Sequence, residues 1–295
     1  MEKYYKDAED PFDFYTNNFI ITGIPRSGTS LMSSLLNTVD NMIVFNEVIC
    51  KEVNFYDVPT LPGTFSKIRK LLWNHQPVPN RYDRDGKLTT NTMKDGENLE
   101  WKKAEKPIRR DVRIGSKINA PYLGHIGTII ENGFKVIAII RHPVYVIGSY
   151  QMPHTATLNI ANPLTDPRYA GFGFQNEYAQ LYRDAKSRSD VVCDEDMLLA
   201  NIHCQAELWN HFAGLFATLS ERKNFGLIKY EAMVDNPKKI TEYIMQFLGF
   251  DETPKTRDKI KIKNRNDVKN YLNISFIREA VKMWCSNATL FGYDV

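Results

Sequence analysis

The chain has 295 residues, of which 43% are hydrophobic and 25% charged, and its formal net charge is +3. These proportions are ordinary for a water-soluble globular protein, and they supply enough apolar residues for a sizeable core. The net charge is too small to indicate nucleic acid binding, whereas it suits a small anionic ligand. We therefore predict no nucleic-acid partner.

No apolar run is long enough to span a bilayer, and the first residues, Met1–Asp7, are polar. We therefore expect no signal peptide and no membrane anchor. The cysteines show none of the C-x-x-C spacing of a metal site; they are Cys50, Cys193, Cys204 and Cys285. This pattern predicts reduced thiols and hence a cytoplasmic protein.

In chain order, short β-rich runs alternate with helical patterns. The predicted strands are Phe19–Ile24, Met42–Phe45, Val112–Ile118, Lys135–Ile140 and Phe225–Tyr230. The predicted helices are Ser30–Asn37, Tyr122–Glu131, Val144–Tyr150, Met197–Ser220 and Pro237–Leu248. Such alternation predicts an α/β fold of three layers, with a largely parallel sheet between helices. We expect a single domain over residues 1–295.

The first predicted strand runs into a glycine loop, Thr22–Ser30. The spacing of Gly23 and Gly28 matches the nucleotide-binding pattern G-x-x-x-x-G-K-S/T, except that Thr29 replaces the lysine. Backbone N–H groups of such a loop, and of the helix that follows it, bind anions. Because the cation lies inside the loop instead, as Arg26, we predict a phosphate-like ligand other than ATP with Mg²⁺.

A second candidate follows the strand Lys135–Ile140, where Arg141-His142-Pro143 stands. A nucleoside triphosphatase would place an Mg²⁺-binding aspartate there. Arginine offers a forked cation for phosphate instead. If Pro143 begins a helix, Ser149 lies about two turns further on and faces the same anion. Alone, this pattern also fits a plain helix start, but the glycine loop favours a phosphate site.

A third candidate is Tyr230, at the end of the last predicted strand and ahead of Asn236-Pro237. Tyr230 would pack on an adenine ring, or the segment is only a strand end followed by a helix cap. The spacing leaves both interpretations open.

Two regions do not fit the alternation. Residues 76–113 are strongly charged and are either a solvated helical or loop insertion or a basic lip over an anionic acceptor. The cations near the end of this region are Lys102, Lys103, Lys106, Arg109, Arg110 and Arg113. Residues 152–195 are rich in proline, glycine and aromatic residues. A long irregular segment of this kind predicts a substrate lid.

Together these elements resemble the PAPS-dependent sulfotransferase superfamily, more its carbohydrate- and tyrosylprotein-sulfating branches than its cytosolic phenol enzymes. The resemblance continues through Trp209 and the tail Leu290–Tyr293, and it covers most of residues 19–295. It implies a P-loop-NTPase-like sulfotransferase fold. It also implies transfer of a sulfuryl group from 3′-phosphoadenosine 5′-phosphosulfate (PAPS) to a hydroxyl, which leaves the bisphosphate PAP. No metal is expected, because protein cations and N–H groups can stabilise this transfer.

The resemblance implies a donor site. The loop residues that would hold the 5′-phosphosulfate are Pro25, Arg26, Ser27, Gly28, Thr29 and Ser30. Arg141 and Ser149 would hold the 3′-phosphate, and Lys263 and Arg265 in the tail would close over it. Thr29 is equally compatible with a helix cap, as is Ser30.

It also implies three catalytic residues. Arg26 would stabilise the leaving oxygen, and Lys117 would contact the transferring sulfate, although Pro121 follows this lysine later than the family's proline does. Glu47 follows Met42–Asn46 and stands twenty-one residues after Arg26, as in the tyrosylprotein branch, so it would be the base. A solvated or salt-bridged glutamate is the alternative. His75 and His154 are weaker candidates for the base.

Two other functions remain open at this stage. One is a P-loop kinase of a small molecule, which the missing lysine and the strand-end arginine disfavour. The other is a nucleotide-binding module without catalysis. The acceptor is a saccharide, a peptide tyrosine or a small molecule, and the basic run favours an anionic saccharide. The sequence indicates no oligomeric state.

Overall fold

The computed structural model describes residues 17–82, 98–104, 108–109, 111–150, 194–250 and 274–295. Several predictions lie outside these residues: almost all of the lid segment 152–195, the candidate base His154, the tail cations Lys263 and Arg265, and Lys106 and Arg110 of the basic run.

The described chain alternates strands and helices as its apolar pattern predicts. The strands are β1 (Asn18–Gly23), β2 (Met42–Asn46), β3 (Val78–Tyr82), β4 (Asn98–Lys102), β5 (Arg113–Lys117), β6 (Lys135–Ile140) and β7 (Phe225–Lys229). The α-helices are α1 (Thr29–Asn37), α2 (Leu61–Trp73), α3 (Ala120–Gly124), α4 (Ile126–Glu131), α5 (Pro143–Tyr150), α6 (Asp194–Leu219), α7 (Tyr230–Asp235), α8 (Pro237–Phe247) and α9 (Ile274–Trp284). Short 3₁₀ turns cover Val58–Thr60 and Ser286–Phe291.

The five predicted strands form one sheet in the order β2-β5-β1-β6-β7, and every neighbouring pair is parallel. Successive side chains of β1 enter two different apolar clusters, Phe19 and Ile21 on one face and Ile20 on the other. Helices cover both faces. The prediction of a three-layer α/β fold is confirmed.

Parallel strands all end at the same edge of a sheet, and ligands of such folds bind at that carboxyl edge. Five of the candidate elements therefore lie at the ends of different strands. The glycine loop follows β1, Glu47 follows β2, Lys117 ends β5, Arg141 follows β6 and Tyr230 follows β7. The fold thus brings together residues that lie far apart in the sequence.

The insertion 76–113 differs from the prediction of a solvated helix or loop. Its described part contains the antiparallel hairpin β3–β4, with Val78 and Asn80 buried. Pro79 and the polar Asn80 concealed the strand, because proline and asparagine are both uncommon inside strands. The predicted helix Tyr122–Glu131 is also two helices, which meet at His125.

Candidate active site

The loop between β1 and α1 has a backbone that its sequence imposes. Gly28 has φ +94°, and a Cβ atom there would lie 2.5 Å from Cδ2 of Tyr230. Arg26 has φ +74°, a left-handed conformation that costs free energy in a residue other than glycine. The N–H of Ser27 donates to the carbonyl of Ile24 at 3.0 Å and closes the turn. The loop is therefore held in one strained shape.

This loop offers donors to an anion. Helix α1 begins at Thr29 with Gly28 as its N-cap, and no described side chain caps it. The first N–H groups of a helix have no partner within the helix. The hydroxyl of Ser27 is buried and has no hydrogen-bond partner in the part of the chain that the structure describes. These donors fit a phosphate or sulfate group.

The glycine loop and the strand-end arginine are joined directly. Arg141 donates from Nη1 to the carbonyl oxygen of Arg26 at 3.2 Å. Arg26 in turn donates from Nε to the hydroxyl of Ser149 at 3.3 Å, and that hydroxyl donates to the carbonyl of Val146 at 2.8 Å. Trp209 donates from Nε1 to the carbonyl of Arg141 at 3.0 Å. The predicted neighbours Arg26, Arg141 and Ser149 thus lie in one cluster.

Tyr230 packs against this cluster. Its side chain is buried, at 4% exposure, and its ring edge faces Gly28. The guanidinium carbon of Arg141 lies 4.4 Å from the ring centroid, in cation–π contact. Tyr230 therefore fixes both the loop and Arg141, while its contact with an adenine ring stays a prediction.

Glu47 and Lys117 meet at the carboxyl ends of the neighbouring strands β2 and β5. Lys117 Nζ lies 2.5 Å from Glu47 Oε1, with 1% of the lysine side chain and 21% of the glutamate side chain exposed. The N–H of Glu47 donates to the carbonyl of Lys117 at 2.9 Å. Glu47 is therefore salt-bridged, and its partner is the other predicted catalytic residue. This geometry gives a partly exposed carboxylate beside a buried ammonium group.

A family model described as a sulfotransferase domain matches residues 16–273. The chain belongs to the sulfotransferase-domain family. The resemblance to the sulfotransferase superfamily is thereby confirmed, and the protein is a sulfotransferase, while its likeness to the carbohydrate- and tyrosylprotein-sulfating branches stays a prediction. No curated protein matches its sequence.

Solved sulfotransferases are distant neighbours. A mouse sulfotransferase, SULT7A1, complexed with PAP shares 15% identity over 97% of this chain and 70% of its own, with a TM-score of 0.34. A sulfotransferase from Alicyclobacillus acidocaldarius shares 14% over 95% and 96%, with a TM-score of 0.37. The sulfotransferase domain of the Synechococcus PCC 7002 olefin synthase shares 17% over 95% and 96%, with a TM-score of 0.38.

The sulfotransferase has a partly buried hydrogen-bond network that sequence reasoning missed. The N–H of His142 donates to one carboxylate oxygen of Glu231 at 3.1 Å, and the hydroxyl of Tyr293 donates to the other at 2.9 Å. Burial, together with the Glu231 carboxylate, raises the pKa of Tyr293, so its hydroxyl keeps the proton that it donates. The network ties the residue after Arg141 to the C-terminal tail. The tail's Gly292-Tyr293 was one sequence signal for it.

His142 is held in one tautomer. Its Nδ1 accepts from the N–H of Val144 at 3.2 Å, so Nε2 carries the proton and faces the carbonyl of Asp294 at 3.0 Å. Burial lowers the pKa of His142, against the raising effects of Asp294 and Glu231. His142 is therefore a neutral cap of helix α5.

Other predicted residues lie away from this cluster. His75 lines a cavity of about 400 Å³ with Arg69, Arg109 and Val112, at the end of the sheet where β5 begins. It is therefore remote from the carboxyl edge. Arg113 begins β5 and donates to the carbonyl of Gly249, and Arg109 pairs with Asp111. The described part of the basic run thus does not form one lip over the site, because β5 begins at the opposite edge of the sheet.

None of the helices within the described ranges is both long and apolar enough to cross a membrane. Those ranges also contain no group of three or more His, Cys, Asp or Glu side chains placed to hold a metal ion. A transfer without metal stays a prediction.

Proposed function

We propose that this sulfotransferase transfers the sulfuryl group of PAPS to an acceptor hydroxyl and releases PAP. The observation that carries the proposal is the link from Arg141 through Arg26 to Ser149. PAPS is anionic at both its 5′ and its 3′ end. A loop of N–H donors coupled to a strand-end arginine suits a ligand with two anionic groups.

The donor site divides between these two groups. The 5′-phosphosulfate is bound by the loop, in which the buried hydroxyl of Ser27 lacks a described partner. The 3′-phosphate is bound by Arg141 and Ser149. We assign Lys263 and Arg265, which lie outside the described residues, to the same group on sequence grounds alone, and Tyr230 to the support of the nucleotide site. The assignments of the 5′-phosphosulfate and of the 3′-phosphate are the same as those made from the sequence.

Transfer proceeds in line at sulfur. The acceptor hydroxyl gives its proton to the carboxylate of Glu47 while its oxygen bonds to sulfur. The bond between sulfur and the bridging oxygen breaks, and PAP leaves with the electron pair. Arg26 stabilises the charge that develops on the leaving oxygen.

The ion pair gives Lys117 a role in the same step. At rest its ammonium is paired with the carboxylate of Glu47. Once Glu47 is protonated, the lysine loses its counter-charge at the moment when negative charge grows on the leaving group. Proton uptake at Glu47 and charge stabilisation by Lys117 are therefore coupled.

The acceptor is a hydroxyl compound, and the residues around Glu47 select its size and charge. Hairpin β3–β4 flanks this position, since Arg81 Nε donates to the carbonyl of Glu47 at 3.2 Å. Of the predicted basic run, Lys102 and Lys103 belong to this region, and Lys102 lies over the ring of Tyr82 and pairs with Glu100. Of the predicted basic run, only these two described cations still support an anionic saccharide as the acceptor.

We also propose that residues 1–295 form one domain that works in the cytoplasm without a bound metal. All described β-strands except the β3–β4 hairpin belong to one sheet. Cys50 and Cys285 are free thiols. These observations support the proposal and agree with the reduced state predicted from cysteine spacing.

The test is transfer of radiolabelled sulfate from PAPS to four acceptors: a neutral saccharide, an acidic saccharide, a tyrosine peptide and a simple phenol. We expect labelled product and an equal amount of PAP with at least one of them, without Mg²⁺. Glu47→Gln should abolish transfer, and the exposed Glu52→Gln should not. Phosphoryl transfer from ATP with Mg²⁺, in place of sulfuryl transfer, would establish the kinase alternative.

A further inference from the structure

The edge strand β2 is closed by two asparagine side chains. Asn37, the last residue of α1, accepts from the N–H of Val44 at 2.8 Å and donates to its carbonyl at 3.0 Å. Asn80 donates to the same carbonyl at 3.0 Å and accepts from the N–H of Asn46 at 3.0 Å. Three backbone groups of this edge strand, the N–H and carbonyl of Val44 and the N–H of Asn46, are thereby satisfied. The side-chain amide of Asn37 thus bonds to both backbone groups of Val44, and that of Asn80 bridges the carbonyl of Val44 and the N–H of Asn46.

Asn80 is also connected to the catalytic candidate. It is 2% exposed, and its Oδ1 also accepts from the N–H of Arg81 at 2.9 Å. Arg81 then donates from Nε to the carbonyl of Glu47 at 3.2 Å. On the opposite flank the N–H of Glu47 donates to Lys117 at 2.9 Å. The backbone of Glu47 is therefore held from both sides.

This restraint matters because Glu47 has φ +49°. A left-handed conformation at a residue with a side chain costs about 1–3 kcal/mol and persists only where the surroundings impose it. If the hold on Asn46 and Glu47 is released, the residue can relax to a negative φ. Its carboxylate would then move away from Lys117.

We infer that Asn80 is a positioning residue for Glu47, an inference that rests on the proposed function. None of the sequence motifs predicted the hairpin β3–β4. Its role is to hold the backbone of the catalytic base in place. Asn80 acts through the backbone of residues 46 and 47 and does not touch substrate. Its loss should therefore lower turnover more than it lowers binding of the donor.

The experiment compares Asn80→Ala with Asn37→Ala, since both remove a side-chain amide from the same strand edge. The acceptor is the compound with the highest turnover in the four-acceptor assay, and the affinity for PAP is measured alongside. We expect Asn80→Ala to lower kcat by about 10–100-fold, because small displacements of a reacting group have effects of that size. Affinity for PAP should change by less than about threefold. Asn37→Ala should lose thermal stability but keep kcat within about threefold.

A second measurement does not depend on activity. Hydrogen exchange at the amide of Glu47 should speed up by about tenfold or more in Asn80→Ala and not in Asn37→Ala, as expected of a locally opened segment. Asn80→Asp keeps the acceptor for Asn46 and Arg81, so it should recover part of kcat if Asn80→Ala folds poorly.

Unchanged exchange at Glu47 in Asn80→Ala would overturn the inference, whatever the activity. So would equal losses of kcat in the two alanine variants. If instead the wild-type protein neither binds PAP nor transfers sulfate, the proposed function fails and the inference about the catalytic base fails with it. A wild-type enzyme that is active and unaffected by Asn80→Ala contradicts the inference alone.

Discussion

Lys117 Nζ donates to Glu47 Oε1 at 2.5 Å, and the lysine is buried while the glutamate reaches solvent. The two residues are seventy positions apart and end up adjacent because β2 and β5 are parallel neighbours. A buried ammonium group without its counter-charge is costly, whereas a partly exposed carboxylate can be solvated by water. The two members of the pair should therefore contribute unequally to the stability of the fold.

Removing the carboxylate should destabilise the protein more than removing the lysine. Glu47→Gln leaves the ammonium of Lys117 buried without its counter-charge, and we expect a loss of about 1–3 kcal/mol in the free energy of unfolding. Lys117→Met keeps the packing volume and removes the charge, so its loss should be smaller. Urea unfolding measures both, with Glu52→Gln as the control for an exposed glutamate. A larger loss for Lys117→Met would contradict the pair's asymmetry.

Arg26 should matter for the rate more than for donor binding. Arg26→Ala removes the cation assigned to the leaving oxygen, and we expect kcat to fall by about 10²–10³-fold. Affinity for PAP should fall less, because Arg141 and the loop amides remain. The exposed Arg222→Ala serves as the control in the same sulfate-transfer assay. A variant with kcat within threefold of wild type would remove Arg26 from the mechanism.

Gly28 should not accept a side chain. In Gly28→Ala the Cβ atom would meet the ring of Tyr230 at 2.5 Å, and φ +94° is unfavourable for alanine. We expect a loss of about 1–3 kcal/mol of stability, together with weakened PAP binding, because the loop must shift. Gly63→Ala is the matched control: it lies in α2 with no atom within 4 Å of the new Cβ, and should gain about 0.5–1 kcal/mol. Equal stability changes at the two sites would show that the loop is not constrained.

The neutral state of His142 should make stability fall in mild acid. Burial lowers its pKa below the ordinary value of 6.5, so below that pH the unfolded chain binds a proton that the folded chain resists. This part of the stability is complete above pH 6.5 and is lost as the pH falls from there toward the folded-state pKa. His142→Asn keeps an acceptor for Val144 but does not titrate. Thermal melts between about pH 7 and pH 5 should show a shallower decline in this variant. Parallel declines would exclude His142 as the cause.

The sequence predicted the sheet and the proximity of several candidate site residues, because both depend on local signals. Continuous apolar runs marked β1 and β6, and the glycine spacing marked the loop that follows β1. Parallel topology then placed Glu47, Lys117 and Arg141 at one edge, so the site followed once the fold class was right.

The remaining features depend on tertiary contacts that no local pattern encodes. Pro79 and Asn80 make β3 look like a loop, but the strand pairs with β4 and the Asn80 side chain bonds to the edge of β2. Tyr230 was placed at a strand end, and its burial between Arg141 and Gly28 comes from helix α7, which it begins. The course of Arg109 and Arg113 away from the site could not be read from charge alone.

The central claim is that the loop and Arg141 bind a 3′,5′-bisphosphorylated adenosine. A thermal-shift titration with PAP in the presence of a chelator tests it most directly. At a ligand concentration 100 times the Kd we expect about 2.7 kcal/mol of stabilisation, hence a rise of several degrees in Tm. Arg141→Ala should abolish this rise, and ADP should produce a much smaller one because it lacks the 3′-phosphate. No response to PAP, with a clear rise in Tm from ATP and Mg²⁺, would contradict the claim.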